Sequence, residues 1–451
     1  MLAFAYIAIV LWVPISCVVF SMLPARRAAL WCLFVGFLCL PTLVIELPAV
    51  PDPDRNMVVG FGILVGTVLF APARLTLLRP RWFDLPLLLL CVGPFVSSIL
   101  NGLGPYDGLS AMFDATATWL PFYLVGRMYF SDAEGLLYLG RATLLAAAVC
   151  LPFLLFEVRM SPKLHIWIYG IETSVSGDGF VRGYGIWKPV LMFPHALNTA
   201  SFLAAGTLAG LWLCVTRVTR PNGGVPTRYL FCAASFGLLI CQVLGGWGAA
   251  VMGSVALLSL RSVRTKALIL LLAISPGIWM VGRGTGTLSG QGFVDVVQMT
   301  AGDRRAESLN FRVDNETILL EKAMERPVFG WGRWGRSRVY DENGKDLSVT
   351  DGLWIIQLGA AGLVGLLALV AVGTLPVLLY LSRFSVAAMV RPEMAGATVL
   401  AVIVSLSLLN NVFNAFINPL AIVAASGLMA LRPMVGAART SSSERATAFA
   451  Q

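Results

Sequence analysis

The residues best equipped for chemistry stand in two short stretches late in the chain. The first, NFRVDNETILLEKAMERPVFGWG (310–332), carries Arg312 and, one helical turn on, Glu316. The second, DGLWIIQLGAAGLVG (351–365), opens on Asp351, where a polar link gives way to an apolar run. A guanidinium is a permanently charged, planar fork that meets phosphate or carboxylate oxygens through paired hydrogen bonds. A carboxylate within reach of a hydroxyl is a general base. Arg312 with Asp351 or Glu316 therefore suits a transfer in which negative charge collects on a phosphate leaving group while a carboxylate takes the proton. The plainer reading is a surface helix whose Arg312 and Glu316 form a solvated i,i+4 pair.

A helix over 309–325 places Leu309, Val313, Leu320 and Met324 on one apolar stripe. Asp314, Glu321, Lys322 and Glu325 then point away, while Arg312 and Glu316 flank the stripe with Leu319 and Ala323. Such a helix lies against the outer membrane face or against a bundle. Pro327 ends it, because a proline ring cannot continue the hydrogen-bond ladder. Gly330, Gly332 and Gly335 are expected to let the backbone approach a ligand closely.

These stretches sit in a chain otherwise suited to lipid. Of 451 residues, 57% are hydrophobic and 13% charged, with mean hydropathy +0.79; soluble domains carry about 25% charged residues. Apolar runs of about 20 residues recur, each able to cross a bilayer core of about 30 Å. The expected fold is all-α: a polytopic transmembrane helix bundle of about 12–14 spans with a large external loop between two late spans. The spans fall near 3–23, 28–48, 56–73, 84–101, 112–130, 136–157, 190–215, 229–244, 247–260, 266–282, 352–382, 394–411 and 415–431. Within 229–260, LGGWG marks a sharp turn or a kink, and the 352–382 run is long enough to tilt. The organisation is then 1–282 transmembrane, with an external loop near 159–189; 283–350 a large external loop; 351–432 transmembrane; and 433–451 a disordered tail.

The net charge of +9 comes from Lys and Arg in alternate links. Arg26/Arg27, Arg74/Arg79/Arg81, Arg217/Arg220/Arg228, Arg261/Arg264/Lys266 and Arg383/Arg391 all fall on one side, which the positive-inside rule makes cytoplasmic. The N-terminus is then external and the C-terminus cytoplasmic. Arg26 and Arg27 follow the first apolar run, the reverse of a cleaved leader, so that run is kept as a span. No basic stripe with interleaved aromatics occurs, so nucleic acid is not an expected partner. The eight cysteines form no CxxC and no histidine stands at ligand spacing, so neither a disulfide framework nor a zinc site is expected.

Polar residues gather at the outer ends of the spans: Glu46, Asn101, Asp114, Glu157, His195, Asn198, Gln242, Asn410, Asn411 and Asn414. Grouped so, they point to one site at the external face. Singly they have plainer roles. Glu46 and Glu157 can end spans at the headgroups, Asn198 can bond a neighbouring helix, and His195, beside Pro194, can be a helix-end residue. His165 reads as a loop residue, and GRGTGTLSGQG (282–292) as a flexible exit from a span.

Together, R…N…LL…A…PVFGWG and DGLWIIQLGAAGLVG resemble a signature of the O-antigen ligase and polysaccharide polymerase (Wzy-like) family. The stretch RGYGIWKPVLMFPHALNTASFLA (182–204) is similar to that family's other signature, and the matches cover about a third of the chain. The resemblance implies a bacterial inner-membrane glycosyltransferase, metal-independent and without cofactor, working on the periplasmic side. Its donor would be a glycan on undecaprenyl diphosphate. Its acceptor would be another lipid-linked repeat unit, for an exopolysaccharide or O-antigen polymerase, or a lipid A core, for a ligase. Implied partners are the lipid-linked oligosaccharide, the bilayer, and a chain-length regulator or flippase of the same pathway. By the match, Arg182 and Arg312 are the family's essential arginines. Asp351, Arg312 and Glu316 become the catalytic candidates, with Arg182, Lys188, His195, Asn198, Arg333 and Arg336 as candidates for diphosphate or sugar contacts; Arg333 and Arg336 equally suit a solvated loop. Two departures stand out: many members have histidine where this chain has Asp351, and the family's Ser-Arg pair is missing from LGGWGAA (244–250).

Two rivals come from other classes. A metal-dependent, lipid-linked sugar transferase would use Glu46, Asp52 and Asp54 of ELPAVPDPDR (46–55), in a link cramped for a metal and a sugar. A polysaccharide transporter or lipid flippase would need midplane polar groups on broken helices.

Overall fold

The computed structural model describes residues 2–45, 52–171, 182–183, 185–218, 224–333 and 335–433, without the side chains of 182, 183, 301, 304 and 305. Glu46, the tail beyond 433 and the side chain of Arg182 thus lie outside the described residues. The chain is about 75% helical with almost no strand. It opens with α1 (Leu2–Met22), α2 (Ala25–Cys39) and α3 (Arg55–Phe70). Two short 3-10 turns, Pro72–Leu77 and Trp82–Asp84, lead to α4 (Leu85–Leu100) and α5 (Pro105–Tyr129). Next come α6 (Ala133–Val149), its continuation α7 (Leu151–Met160), and the short α8 (Leu164–Tyr169). A two-residue hairpin, β1 (Arg182–Gly183) with β2 (Ile186–Trp187), precedes α9 (Ala196–Val215), α10 (Thr227–Ile240), α11 (Leu244–Ser262) and α12 (Ala267–Gly284). After α13 (Gln291–Ala301) and α14 (Asp303–Met324) come α15 (Leu353–Arg383), α16 (Val386–Met389), α17 (Ala395–Phe413) and α18 (Pro419–Ala430).

Among the described residues eight helical segments are long and apolar enough to cross a membrane, and α3, α10 and α18 are shorter apolar helices. This is a multi-pass membrane protein, and lipid is its environment. The most buried helices, α17 and α18, are rich in small residues, which let backbones approach where lipid offers no hydrophobic drive. Gly126 of α5 shows how close: a Cβ there would stand 1.8 Å from the Ser426 hydroxyl and 2.2 Å from the Val423 carbonyl.

The two ends of the bundle differ in chemistry. At one end cations cap helix C-termini: Arg261 donates to Val215 O (2.5 Å), Lys266 to Leu381 O and Phe384 O (2.6 and 2.5 Å), and Arg383 to Met429 O and Leu431 O (2.8 and 2.9 Å). Unsatisfied carbonyls and the negative pole of each helix favour positive charge there. The opposite end gathers α8, the β hairpin, α13, α14 and the link from α14 to α15.

That link enters the bundle. α15 is interrupted at Gly362, whose φ of 65° and ψ of −163° are not helical. Trp331 N and Gly332 N donate to Gly359 O and Ala360 O (2.9 and 3.0 Å), while Leu363 N and Val364 N donate to Pro327 O and Val328 O (2.7 and 3.2 Å). The PVFGWG turn thus takes over the backbone bonds that the break releases, as buried irregular backbone in a membrane protein must. A Cβ on Gly362 would lie 2.4 Å from the Val328 carbonyl. Of the three glycines expected to permit close approach, Gly330 meets the backbone of α15, while Gly332 meets Leu103 and Ser98 and Gly335 faces Tyr340. The single tilted span expected over 352–382 is two helices joined at that break.

Other local expectations also shift. α10 and α11 are separate helices parted at Gln242, which has a φ of 55°, and LGGWG opens α11 instead of forming the turn. α14 runs over 303–324 and packs on α15, but buries Glu316, Leu319 and Ala323 and leaves Met324 48% exposed. The expected stripe still packs at Val313, with Leu309 and Leu320 partly buried against the core, and Glu316, Leu319 and Ala323 widen the buried face; of the stripe, Met324 turns outward. His165 belongs to α8, fully enclosed, with Nε2 accepting from Thr42 N (3.0 Å) and Nδ1 against Ile171 O (2.8 Å). Glu157 does not reach the headgroups: it accepts from Val190 N and Leu191 N (2.8 and 2.7 Å), clamping the segment before α9.

Candidate functional site

Arg312 lies on the face of α14 turned toward the start of α15. Its Nε meets Asp351 Oδ2 at 3.4 Å, and its Nη1 donates to Phe413 O (3.0 Å) and Asn414 Oδ1 (3.4 Å). Both partners are accessible, with side-chain exposures of 34% and 33%. Asp351 does not cap α15, whose N-cap is Gly352 without a side-chain bond. Its carboxylate is held toward Arg312 because Asn315 Oδ1 accepts from Val349 N (2.7 Å), tying the preceding link to α14. Asn315 is the N of the R…N spacing in the sequence.

Glu316 lines a small pocket with Arg312 and Asp351, but its carboxylate is engaged by α12. Its Oε1 accepts from Arg283 Nε at 2.6 Å, with exposures of 6% for Arg283 and 7% for Glu316. Burial raises the Glu316 carboxyl above its usual range, against the opposing pull of Arg283 and of the Trp279 and Trp354 indoles. The i,i+4 pairing with Arg312 is not made. Arg283 was not singled out from the sequence, where it read as part of a flexible exit; the signal was a lone arginine at the end of an apolar run.

His195 is the N-cap of α9, Nδ1 accepting from Leu197 N (3.1 Å), and its ring leans on Phe416 at 6.3 Å. The ring edge is exposed, yet the protein around it, and then the charges of Arg312 and Lys188, push its pKa below the usual value. Phe416 also lines a cavity of about 250 Å³ walled by α2, α3, α9, α11, α17 and α18. Asn198, Asn410, Asn418 and Arg55, with Asn56, Ser201 and Ser407, are the polar residues of a largely apolar lining. Asn198 Oδ1 is shielded from solvent without a hydrogen-bond partner. Arg55, also missed from sequence, is 7% exposed and directs Nη1 to the Met192 carbonyl. Asn414 connects cavity and arginine, donating to Asn410 O and Oδ1 (3.1 and 3.2 Å) while accepting from Arg312.

Arg312 and Asp351 thus form an accessible pair beside the cavity, and the positive charges of Arg312 and Lys188 are felt at His195. Arg333 is separate: it pairs with Asp107 (3.0 Å), bonds Ser110, and lines a second pocket of about 350 Å³ with Asp114 and Gln357, at the break in α15. Arg336 is exposed on the same link. Arg182 is placed only by its backbone, opposite Trp187 in the hairpin. Of the rival carboxylates, Asp54 caps α3, accepting from Met57 N at 2.8 Å. No family model and no curated protein matches this chain.

Proposed function

We propose that this protein is an inner-membrane glycosyltransferase that polymerises or transfers glycan carried on undecaprenyl diphosphate, acting at the end of the bundle that holds Arg312. The carrying observation is the half-exposed Arg312–Asp351 pair, joined through Asn414 to a largely apolar cavity. In the forward step an acceptor hydroxyl oxygen bonds to the anomeric carbon, and that carbon's bond to the diphosphate oxygen breaks. Arg312, with Lys188 nearby, neutralises the departing diphosphate. The hydroxyl proton passes to Asp351, which a substrate hydroxyl can reach, whereas Glu316 is buried against Arg283. His195, whose pKa is lowered by the protein around it and then by Arg312 and Lys188, is a hydrogen-bonding group for sugar or phosphate. The cation-capped end is the cytoplasmic side by the positive-inside rule, which puts the site, the N-terminus and the long link before α15 on the periplasmic side and the C-terminus in the cytoplasm. On that reading the bundle has about 13 spans.

The test is Arg312→Lys, which keeps the charge but loses the fork. At matched protein level, glycan output should fall by roughly tenfold or more. Near-normal output would make Arg312 a surface charge and remove the centre of this reading.

A further inference from the structure

At the opposite end, a groove of about 680 Å³ opens between the Arg79–Asp84 segment, α4 and α5. Its head is strongly basic. Asp84 is fully engaged: Oδ1 accepts from the Tyr123 hydroxyl (2.5 Å) and from Arg127, and Oδ2 from Arg81 N (2.7 Å). Arg127, stacked 5.0 Å over Phe83, also donates to Arg79 O (2.9 Å) and is buried. Arg79 is exposed and Arg81 half-buried at the groove mouth. Arg432, Arg127 and Arg79 press like charge on Arg81, against the single carboxylate of Asp84.

The walls below are apolar. Leu85, Leu88, Val92, Leu120 and Leu124 line them, and Trp82, Leu85 and Leu88 are 66%, 54% and 57% exposed on the flank. A free anion needs no such wall, and an acidic peptide would bury no chain along a lipid-facing helix. Uncompensated arginines above an apolar trough match a molecule with an anionic head and a hydrocarbon tail. We propose that this groove binds an anionic phospholipid, its phosphate between Arg79 and Arg81 and an acyl chain along α4 and α5. The site is independent of the glycan chemistry at the other end.

The test uses the purified full chain in a neutral detergent, with thermal unfolding followed by tryptophan fluorescence. Phosphatidylglycerol should raise Tm in a saturable way, and phosphatidylcholine should not. The variants Arg81→Gln and Arg79→Gln/Arg81→Gln should bind phosphatidylglycerol on the order of tenfold more weakly. Arg228→Gln, an exposed cation at the same end, should behave as the parent. The single variant keeps the test decisive if the double variant does not fold. Equal stabilisation by both lipids, or an unchanged phosphatidylglycerol response in Arg81→Gln, overturns the proposal. So does an equal shift with inorganic phosphate, which would make the groove head an anion site alone.

Discussion

Two arginine–carboxylate pairs share one helix, α14, and meet opposite conditions. Arg283–Glu316 is closed at 2.6 Å, with exposures of 6% and 7%; Arg312–Asp351 is open at 3.4 Å, with exposures of 34% and 33%. The closed pair is fully coordinated on its cationic side. Arg283 also donates to Leu288 O and Ser289 O (3.2 and 2.7 Å), Val313 O (3.0 Å) and the Thr317 hydroxyl (2.7 Å). A guanidinium so saturated is a bracket that fixes α14 to the end of α12. Arg312 holds one carbonyl, one amide oxygen and one loosely placed carboxylate, so an incoming anion can replace Asp351 without leaving a buried charge. Residue type and spacing do not show which arginine is open to a ligand; the number of occupied donors and the access of water do.

The largest expected effect comes from breaking the closed pair. Glu316→Ala strands a buried guanidinium and should cost about 3–5 kcal/mol of stability. The readout is a large fall in Tm and in yield of folded protein in detergent. Replacing both partners by methionine should recover only part of that loss, since it leaves no unpaired charge but removes the bonds of Arg283 to Leu288 O, Ser289 O and Val313 O. A wild-type Tm in Glu316→Ala would contradict the bracket.

Asp351→Asn should act in the other direction, on chemistry and little on folding. The open pair is worth at most about 1 kcal/mol to stability. Loss of the base should lower turnover by roughly 10²–10⁴. Because Asp351 does not cap α15, the amide disturbs no helix end. Full turnover in the Asn variant would remove Asp351 as the base. A smaller effect is expected from Asn414→Ala, which deletes one contact to Arg312 but leaves the Phe413 carbonyl. Loss of one hydrogen bond to the guanidinium should weaken substrate capture about threefold to tenfold, in KM more than in kcat. An unchanged KM would detach the cavity from the arginine.

Much of the fold was legible because lipid imposes a simple rule: apolar runs of helical length become helices, and cations collect at one end. Most expected spans coincide with helices to within a few residues, and eight helical segments among the described residues are long and apolar enough to cross a membrane. The break in α15 was half-legible. Gly330 announces close approach, but the sequence does not say that it meets the backbone of α15 around Gly362. The site divides in the same way. Asp351 stood out because it opens an apolar run, and Arg312 because it flanks the apolar stripe of a charged helix and falls on the resemblance to the ligase and polymerase signature. Glu316 stood out equally, and its burial against Arg283 depends on how α12 ends, 33 residues earlier. Arg55 was hidden inside PDPDR, where the acids drew attention, although the arginine is the group that lines the cavity.

The smallest effect tests whether the open pair shares its space with His195. The ring's enclosure, then Arg312, then Lys188, push the imidazole pKa below its usual value. An unfolded histidine titrates near ~6.5. Between the lowered folded value and ~6.5 the unfolded chain holds more protons, so stability rises with pH across that window and is lost as pH falls through it. The structural event is loss of the Nδ1 lone pair that accepts from Leu197 N, so the decline should not exceed the ~1 kcal/mol of an N-cap. Tm measured across this window should show it, and His195→Asn, which keeps a capping side chain, should remove it. Arg312→Gln takes away one positive neighbour, moves the folded value back toward that of the unfolded chain, and should shrink the low-pH loss. An equal loss in the parent and in Arg312→Gln would mean that Arg312 and His195 do not sense each other, and the site would then fall apart into a helix cap and a surface pair.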